Sequence, residues 1–534
     1  MNNRLDSGIV AAYFVLIFVA GYFVSRRHQS KGADEFLTGG RTRTWWQTGL
    51  TLIAMAFDPA YMGMAGLGFI WGFYILQWNA VHIWFTSWFA AMFLVPIYWR
   101  TRIVTTPEYL ERRFNVACRA FFSVVMTVIL VVTLTSGLYL GSLVLEALLG
   151  WPLKVSIAFI SIVVGFYVIL GGMKTVLILD VYQGIFLLGT LGAVAWMAAH
   201  HVGGLAGFAA IEATGNADTR LSSLFAPSDW DLATKTFFPA QAVVTWATVA
   251  GLSWLACNFG MVQRLLAARS ERDAQKGLLF LGVLATLACF ATYVIGAAMR
   301  VLKPDLVPDK AFMDVMLTMF PTGVRGLLVA GMMAALLSSA DGMLTASSAL
   351  LTEDIYLRFL NPAASGARTK FIARTLEAIA LLASISLVPV LMKAESAVTF
   401  VQDFYGNVLG VVVALYIVGV FSKRATAWAA LAAMISGIGL AVGLRLGTHL
   451  NFAYVGFFSF VYAILATLVL SRLEPAPTPE RLANLTIHTL PDAKGPWVGL
   501  RAWPNLWKWA LGLSAAWAAT CVIWEWIVRS SGGR

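Results

Sequence analysis

Apolar residues fill this chain in blocks of about twenty or more, and short connections between the blocks hold most of the charge. A helix that crosses the hydrocarbon of a bilayer needs about 20 mostly apolar residues. Fourteen blocks qualify, near 8–25, 46–70, 73–99, 118–149, 153–170, 174–200, 236–257, 277–300, 322–352, 371–392, 397–421, 426–444, 452–471 and 508–528. Runs this long and even lack the alternation of a membrane barrel strand. The pattern predicts an all-α polytopic membrane protein of about fourteen transmembrane helices, with the lipid bilayer as its main solvent.

Polar stretches divide the blocks. Residues 1–45 are read as a peripheral first helix and its cytoplasmic loop, 46–200 as helices 2–6, and 201–235 as an extracellular loop. Residues 236–421 hold helices 7–11, 422–471 helices 12 and 13, 472–507 a cytoplasmic linker, and 508–534 the last helix with an external C-terminus. The linker contains Pro475, Pro477, Pro479, Pro491 and Pro496, which predicts irregular structure. No segment reads as a soluble domain, so no attached kinase or ATPase is expected.

Composition agrees with this pattern. Of 534 residues, 59% are hydrophobic and 12% charged, too few charges to cover a water-facing surface. The net charge of +11 would suggest nucleic acid, but no basic tail or run exists. With an outside N-terminus and fourteen spans, the cytoplasmic connections hold 26 of the 38 Lys and Arg residues and the exterior 12. That asymmetry is the positive-inside bias, so both termini are expected outside the cell membrane and no nucleic-acid partner is expected. The first block is followed, not preceded, by Arg26 and Arg27, unlike a signal peptide. Cys118, Cys257, Cys289 and Cys521 have neither disulfide nor metal spacing, and the six histidines form no zinc motif. No nucleophile–base pair or phosphate loop marks an enzyme, and no obligatory protein partner is evident.

Two blocks carry internal breaks. In the second, Pro59 removes a backbone donor, and Gly63 and Gly66 loosen the next turns. Asp58 stands directly before that proline near mid-span, where a charge costs roughly 3 kcal/mol or more. It reads either as a polar accompaniment to an ordinary kink or as part of a broken helix that holds an ion and a solute. The seventh block is interrupted by Gly251, Ser253, Trp254, Asn258 and Gly260, and runs in the opposite direction. Two such helices five spans apart fit an inverted repeat, with spans 2–6 as one half and 7–11 as the other. In the ninth block, Ser338 and Ser339 serve either close helix packing or, with a carbonyl such as that of Ala335, a hard cation.

Four strings, in order and at the appropriate helix ends, resemble the sodium:solute symporter family of sodium/glucose and sodium/proline cotransporters. They are Phe36-Leu-Thr-Gly-Gly40, Gly171-Gly-Met-Lys-Thr-Val-Leu-Ile-Leu-Asp180-Val-Tyr-Gln183, Val262-Gln-Arg264-Leu-Leu-Ala-Ala-Arg-Ser270, and Ser338-Ser-Ala-Asp-Gly-Met-Leu-Thr-Ala-Ser-Ser-Ala-Leu-Leu-Thr-Glu-Asp-Ile-Tyr356. The resemblance extends over about residues 8–471 and implies a LeuT-type core of two inverted five-helix repeats, with helices 2 and 7 broken. It implies a sodium site formed by the carbonyls of Ile53, Ala56 and Ala335 and the hydroxyls of Ser338 and Ser339. Asp180 matches an acid linked in the family to a second sodium or to ion exit; the alternative is pairing with a basic residue at the cytoplasmic helix end. Around the implied solute site, Trp254 falls where sugar carriers have a gate tyrosine, and Gln402 aligns with a sugar-contacting glutamine. Asn79 and His82 stand where those carriers use glutamate and serine, while Met55 occupies a position that is acidic in proline carriers. Asp58 matches neither branch's acid; it is suited to pairing with an amine, accepting from sugar hydroxyls or taking up a proton.

The expected activity is therefore sodium-coupled symport of a small polar solute, a sugar or sugar derivative first, an amino acid or amine next. Sodium is the one cofactor-like ion, and no transition metal is expected. The alternatives are a proton-coupled carrier of the same fold and a membrane sensor that binds solute without moving it.

Overall fold

A computed structural model describes residues 4–27, 39–57, 60–76, 80–204, 206–208, 248–393, 397–448 and 450–490, with scattered positions from 508 to 515. Among them only helices and connections occur, with one isolated bridge between Arg43 and Ala268. Among the described residues, eight helices are long and apolar enough to cross a membrane by length and composition. The remaining predicted spans are interrupted, have shorter apolar stretches or fall wholly or partly outside the described residues.

The first block forms α1, Arg4–Arg27. The second is two helices, α2 (Trp45–Ala56) and α3 (Ala60–Trp71). Phe57 leaves the helix at φ −97°, ψ 75°, in keeping with the bar that Pro59 sets on continuing the turn. The third block, read as one regular helix, instead contains two wide π turns, Ala80–Phe85 and Ala90–Leu94, within a run we label α4 (80–100). A wide turn loosens the backbone ladder, and Gln275 donates to the Ala91 carbonyl at 3.0 Å.

Helix α5 (Thr106–Arg113) is a short connector, followed by α6 (Val116–Leu149). Arg113 of α5 is buried and donates to the carbonyls of Gly419, Ser422 and Ala425 at 2.9, 2.7 and 3.0 Å. The fifth and sixth blocks form one element, α7 (Leu153–Val202), sharply bent at Gly172 with φ 63° and ψ −171°. Only glycine adopts that conformation without large strain.

The seventh block ends in a π turn, Ser253–Cys257, and resumes as α8 (Phe259–Leu266). Asn258 joins them in extended conformation and its side chain accepts from the Gly260 amide at 2.9 Å, which caps the new helix. Then come α9 (Glu271–Leu302), α10 (Ala311–Thr318) and α11 (Val324–Ala349), which continues as a π helix to Leu360. The bundle closes with α12 (Gly366–Leu391), α13 (Ala397–Phe421), α14 (Ala427–Gly447) and α15 (Phe452–Leu470). From 471 to 490 the chain runs in turns without a helix.

Helix α11 is the axis of the molecule. In its span 94% of the most apolar window is buried inside the protein, against 28% for α1. An apolar helix so enclosed uses small residues for packing, and α11 supplies Gly326, Ala330, Gly331, Ala334, Ala335 and Ala340. Its first amides are capped from another helix: Asp6 of α1 accepts from Gly323 and Gly326 at 2.6 and 3.0 Å and pairs with Arg325 at 3.1 Å. Loss of such a charged cap costs about 1–2 kcal/mol. Asp6→Ala is therefore expected to lower the unfolding temperature of the purified protein, whereas Asp6→Asn, which keeps an acceptor, recovers much of it. Equal stability of the alanine variant and the parent would show that the cap carries no load.

Candidate ion and solute site

The C-terminal end of α2 meets the middle of α11. Ser339 of α11 donates to the Met55 carbonyl at 3.0 Å, and Ser338 and Ser339 are both buried. Helix α7 closes the third side. Gly184 makes that approach possible, because a Cβ there would lie 2.7 Å from the Leu50 carbonyl and 3.5 Å from an Ile53 methyl. Ser338 donates to Asp180 Oδ1 at 2.5 Å. The two hydroxyls of the expected ion site are thus placed against α7 and α2.

The carbonyl donors are placed less evenly. Ile53 accepts the Phe57 amide at 3.0 Å, so one of its lone pairs is engaged by the chain itself. Ala56 is the last residue of α2, where carbonyls run out of helical partners. Ala335 is buried on α11, one turn before Ser339 and on the same face.

Beside the serines is a charged centre with no exposure. Arg264 of α8 holds Asp180 Oδ2 through Nη2 and Nε at 2.7 and 3.0 Å, and reaches Asp341 Oδ1 through Nη2 at 3.3 Å. Its Nη1 faces the Gly260 carbonyl at 3.2 Å and the Met55 sulfur at 3.0 Å. Asp180, Arg264 and Asp341 are all fully buried. Pairing with a basic residue at the cytoplasmic helix end was one of the two expectations for Asp180; its partner is Arg264, just past the seventh block and fully buried. Arg264 and Asp341 were not singled out from the sequence as site residues. The signal they offered was that each is an ionisable residue inside or beside an apolar block, which is a functional flag by itself. The fit is tight: a Cβ on Gly342 would lie 2.8 and 2.9 Å from the Arg264 guanidinium nitrogens.

The expected solute side is partly in view. Trp254 lies in the π turn before Asn258, with its ring centroid 6.0 Å from that of Tyr405 on α13. The Tyr405 hydroxyl meets Thr133 of α6. Trp254 Nε1 is buried without a hydrogen-bond partner among the described residues, which suits a donor meant for something other than the chain. His82 lies in the first π turn of α4, and Gly251 packs so closely there that a Cβ would come 2.0 Å from the His82 carbonyl. Helix α4 and the seventh block therefore touch beside Trp254. Gln402 is on α13 one turn before Tyr405. Asp58 and Asn79 lie outside the described residues.

A family model described as the sodium:solute symporter family matches residues 36–437. The chain belongs to the sodium:solute symporter family. It is a transporter that couples solute movement to sodium, not an enzyme. Among this symporter's relatives, a sodium/glucose cotransporter of Vibrio parahaemolyticus is 28% identical over 492 residues, covering 87% of this chain and 89% of the relative. The human sodium/myo-inositol cotransporter is 25% identical, covering 91% of this chain and 75% of the relative. Among solved structures, a sodium-coupled sialic acid symporter in a substrate-bound, outward-open state superposes with a TM-score of 0.79 at 21% identity, covering 89% of this chain and 99% of the other. MhsT in complex with L-phenylalanine gives 0.50 at 17% identity, covering 81% and 99%. These likenesses establish the LeuT-type fold of the symporter core.

Proposed function

We propose that this symporter carries a sugar or sugar derivative into the cell, with sodium held by the carbonyls of Ile53, Ala56 and Ala335 and the hydroxyls of Ser338 and Ser339. The observation that carries the reading is the contact of Ser339 with the Met55 carbonyl, which brings the hydroxyls of α11 to the broken end of α2. A serine hydroxyl has one proton and two lone pairs. Ser338 directs its proton to Asp180 and Ser339 to Met55, so each oxygen keeps lone pairs for a cation. Asp180 thus acts on Ser338 as an outer carboxylate acts on a ligand, fixing its orientation and making its oxygen more electron-rich.

Sodium enters from outside down its gradient, which at 100 mV contributes about 2.3 kcal/mol for each charge moved fully across. Its ligands come from both repeats, so binding draws α11 and α2 together and shapes the pocket between Trp254, His82 and α13. The solute in turn holds the ion, because coupling between two sites is reciprocal. Trp254 then yields and both ligands leave to the cytoplasm. Sugars stand first because the sequence relatives are named for glucose and myo-inositol and the superposed symporter for sialic acid. On the charge asymmetry of the loops, both termini face outward.

The test is a thermal-shift screen of purified protein against sugars, sugar acids, amino acids and quaternary amines, in sodium and in choline. A sugar-class compound is expected to stabilise the protein only with sodium. Equal stabilisation in choline would remove sodium from the mechanism, and uptake driven by a pH gradient instead would replace it with a proton. Asp58→Asn is expected to raise the solute concentration for half-maximal uptake about tenfold, the cost of losing a charge-assisted hydrogen bond. An unchanged value in that assay would place Asp58 away from the solute.

A further inference from the structure

Arg264 does more than neutralise an acid. It belongs to repeat two, yet it bonds Asp180 and Met55 of repeat one as well as Gly260 and Asp341 of its own. With both termini outside, α11 runs inward, so Asp341 lies about one turn to the cytoplasmic side of Ser338. The guanidinium and its two carboxylates therefore form a plate beneath the serines. The plate is closed: its three members have no exposure, Gly342 leaves no room for a Cβ beside the guanidinium, and a Cβ on Gly260 would lie 2.2 Å from the Met55 methyl.

We infer that Arg264 is the inner lock of the ion site, whose fork to Asp180 and Asp341 shuts the path from Ser338 and Ser339 to the cytoplasm and must part before sodium leaves. This inference rests on the proposed sodium site. Asp180 is the hinge of the coupling, since one of its oxygens takes the Ser338 hydroxyl and the other takes the guanidinium. A group shared in this way lets the ion ligand and the lock sense each other. When the guanidinium withdraws, two carboxylates lose their hydrogen-bonded cation while sodium is next to them. The ion then replaces the arginine as counter-charge on its way out, which offsets the loss of the buried guanidinium.

The same geometry explains why α8 starts afresh at Asn258. Arg264 stands on a helix of eight residues, separated by an extended residue from the π turn that holds Trp254. A short helix with its own start, although buried on all sides, can shift its arginine off the plate without carrying the whole seventh block. Trp254 at the solute and Arg264 at the ion are then two gates on the two sides of one break.

The experiment uses full-length protein in vesicles loaded with radiolabelled sodium and no solute. Arg264→Gln is expected to release sodium about tenfold faster than the parent, as loss of a buried pair's hold on one state allows. Solute moved per sodium falls in parallel. Arg264→Lys keeps the charge but not the planar fork, and falls between the two. Because Arg264→Gln takes the guanidinium from two buried carboxylates, the charge-balanced variant Arg264→Gln with Asp341→Asn and the milder Asp341→Asn alone are read in the same assay, the latter with a smaller leak. A folded variant of this set whose sodium release matches the parent would overturn the lock, as would a change in solute affinity with no leak. Ser339→Ala separates the two readings. If it leaves sodium activation untouched, the ion site itself is misplaced. If it impairs activation while the Arg264 and Asp341 variants stay tight, only the lock is wrong.

Discussion

Alanine at Ser339 is expected to raise the sodium concentration for half-maximal solute uptake by about tenfold or more, and to do so without a matching loss of folded protein. Two losses add at this position. The hydroxyl is one of the oxygens proposed for sodium, and a hard cation stripped of its water depends on each oxygen it gains. The same hydroxyl satisfies the Met55 carbonyl at 3.0 Å, so its removal leaves a buried acceptor without that donor. Leaving a buried polar group unpaired costs about 1–3 kcal/mol, and about 1.4 kcal/mol is already tenfold in an equilibrium. The measurement is the initial rate of uptake into vesicles as sodium replaces choline at constant ionic strength. Saturating sodium should restore most of the maximal rate. A sodium dependence identical to the parent's would take Ser339 out of the ion site. Ser338→Ala is a useful companion, because it also deprives Asp180 of a 2.5 Å donor and should alter the same curve.

Valine at Gly296 should do the most damage to the fold. Helices α3 and α9 run so close that a Cβ on Gly296 would sit 1.9 Å from the Ala65 carbonyl oxygen and 2.5 Å from the Phe69 amide nitrogen. Gly68 is caught in the same crossing, 2.7 Å from the Tyr293 Cα by the same construction. These obstacles are backbone atoms, so no rotamer change relieves them. Overpacking of a tight core typically costs about 1–3 kcal/mol, and a backbone collision stands at or above the top of that range. The expected result is a large fall in unfolding temperature in detergent, or failure to recover monodisperse protein. Gly439→Ala is the control, since nothing lies within 4 Å of a Cβ there and alanine suits a helix better than glycine. A Gly296→Val protein as stable as the parent would mean that α3 and α9 are not in contact at this crossing. Because α3 is the second half of the broken helix, any separation from α9 should also weaken transport.

The fold was largely legible in the sequence because its devices are local. Pro59 announces the end of α2 within a few residues of where Phe57 leaves the helix, and Asn258 both ends and caps within the interruption expected in the seventh block. The serines were legible as an adjacent hydroxyl pair in the ninth block. What escaped was chemistry assembled across distance. Arg264 is 84 residues from Asp180 and 77 from Asp341 in the chain, so no spacing rule relates them. The π turns of α4 were harder to read: Pro96 follows the second and withholds an amide from it, but no residue within either turn sets the wider spacing. The Ile53 carbonyl accepts the Phe57 amide and keeps its second lone pair, a detail that depends on how Phe57 turns and that no spacing rule supplies.

The bend at Gly172 joins two helical rods with no slack between them. A connection of that kind transmits torque. Tilting the arm from Leu153 must swing the arm that carries Asp180, whereas a floppy loop would have absorbed the movement. Lengthening it with a few inserted residues should therefore leave both rods intact yet let them move out of step, turning a stiff lever into an idle joint.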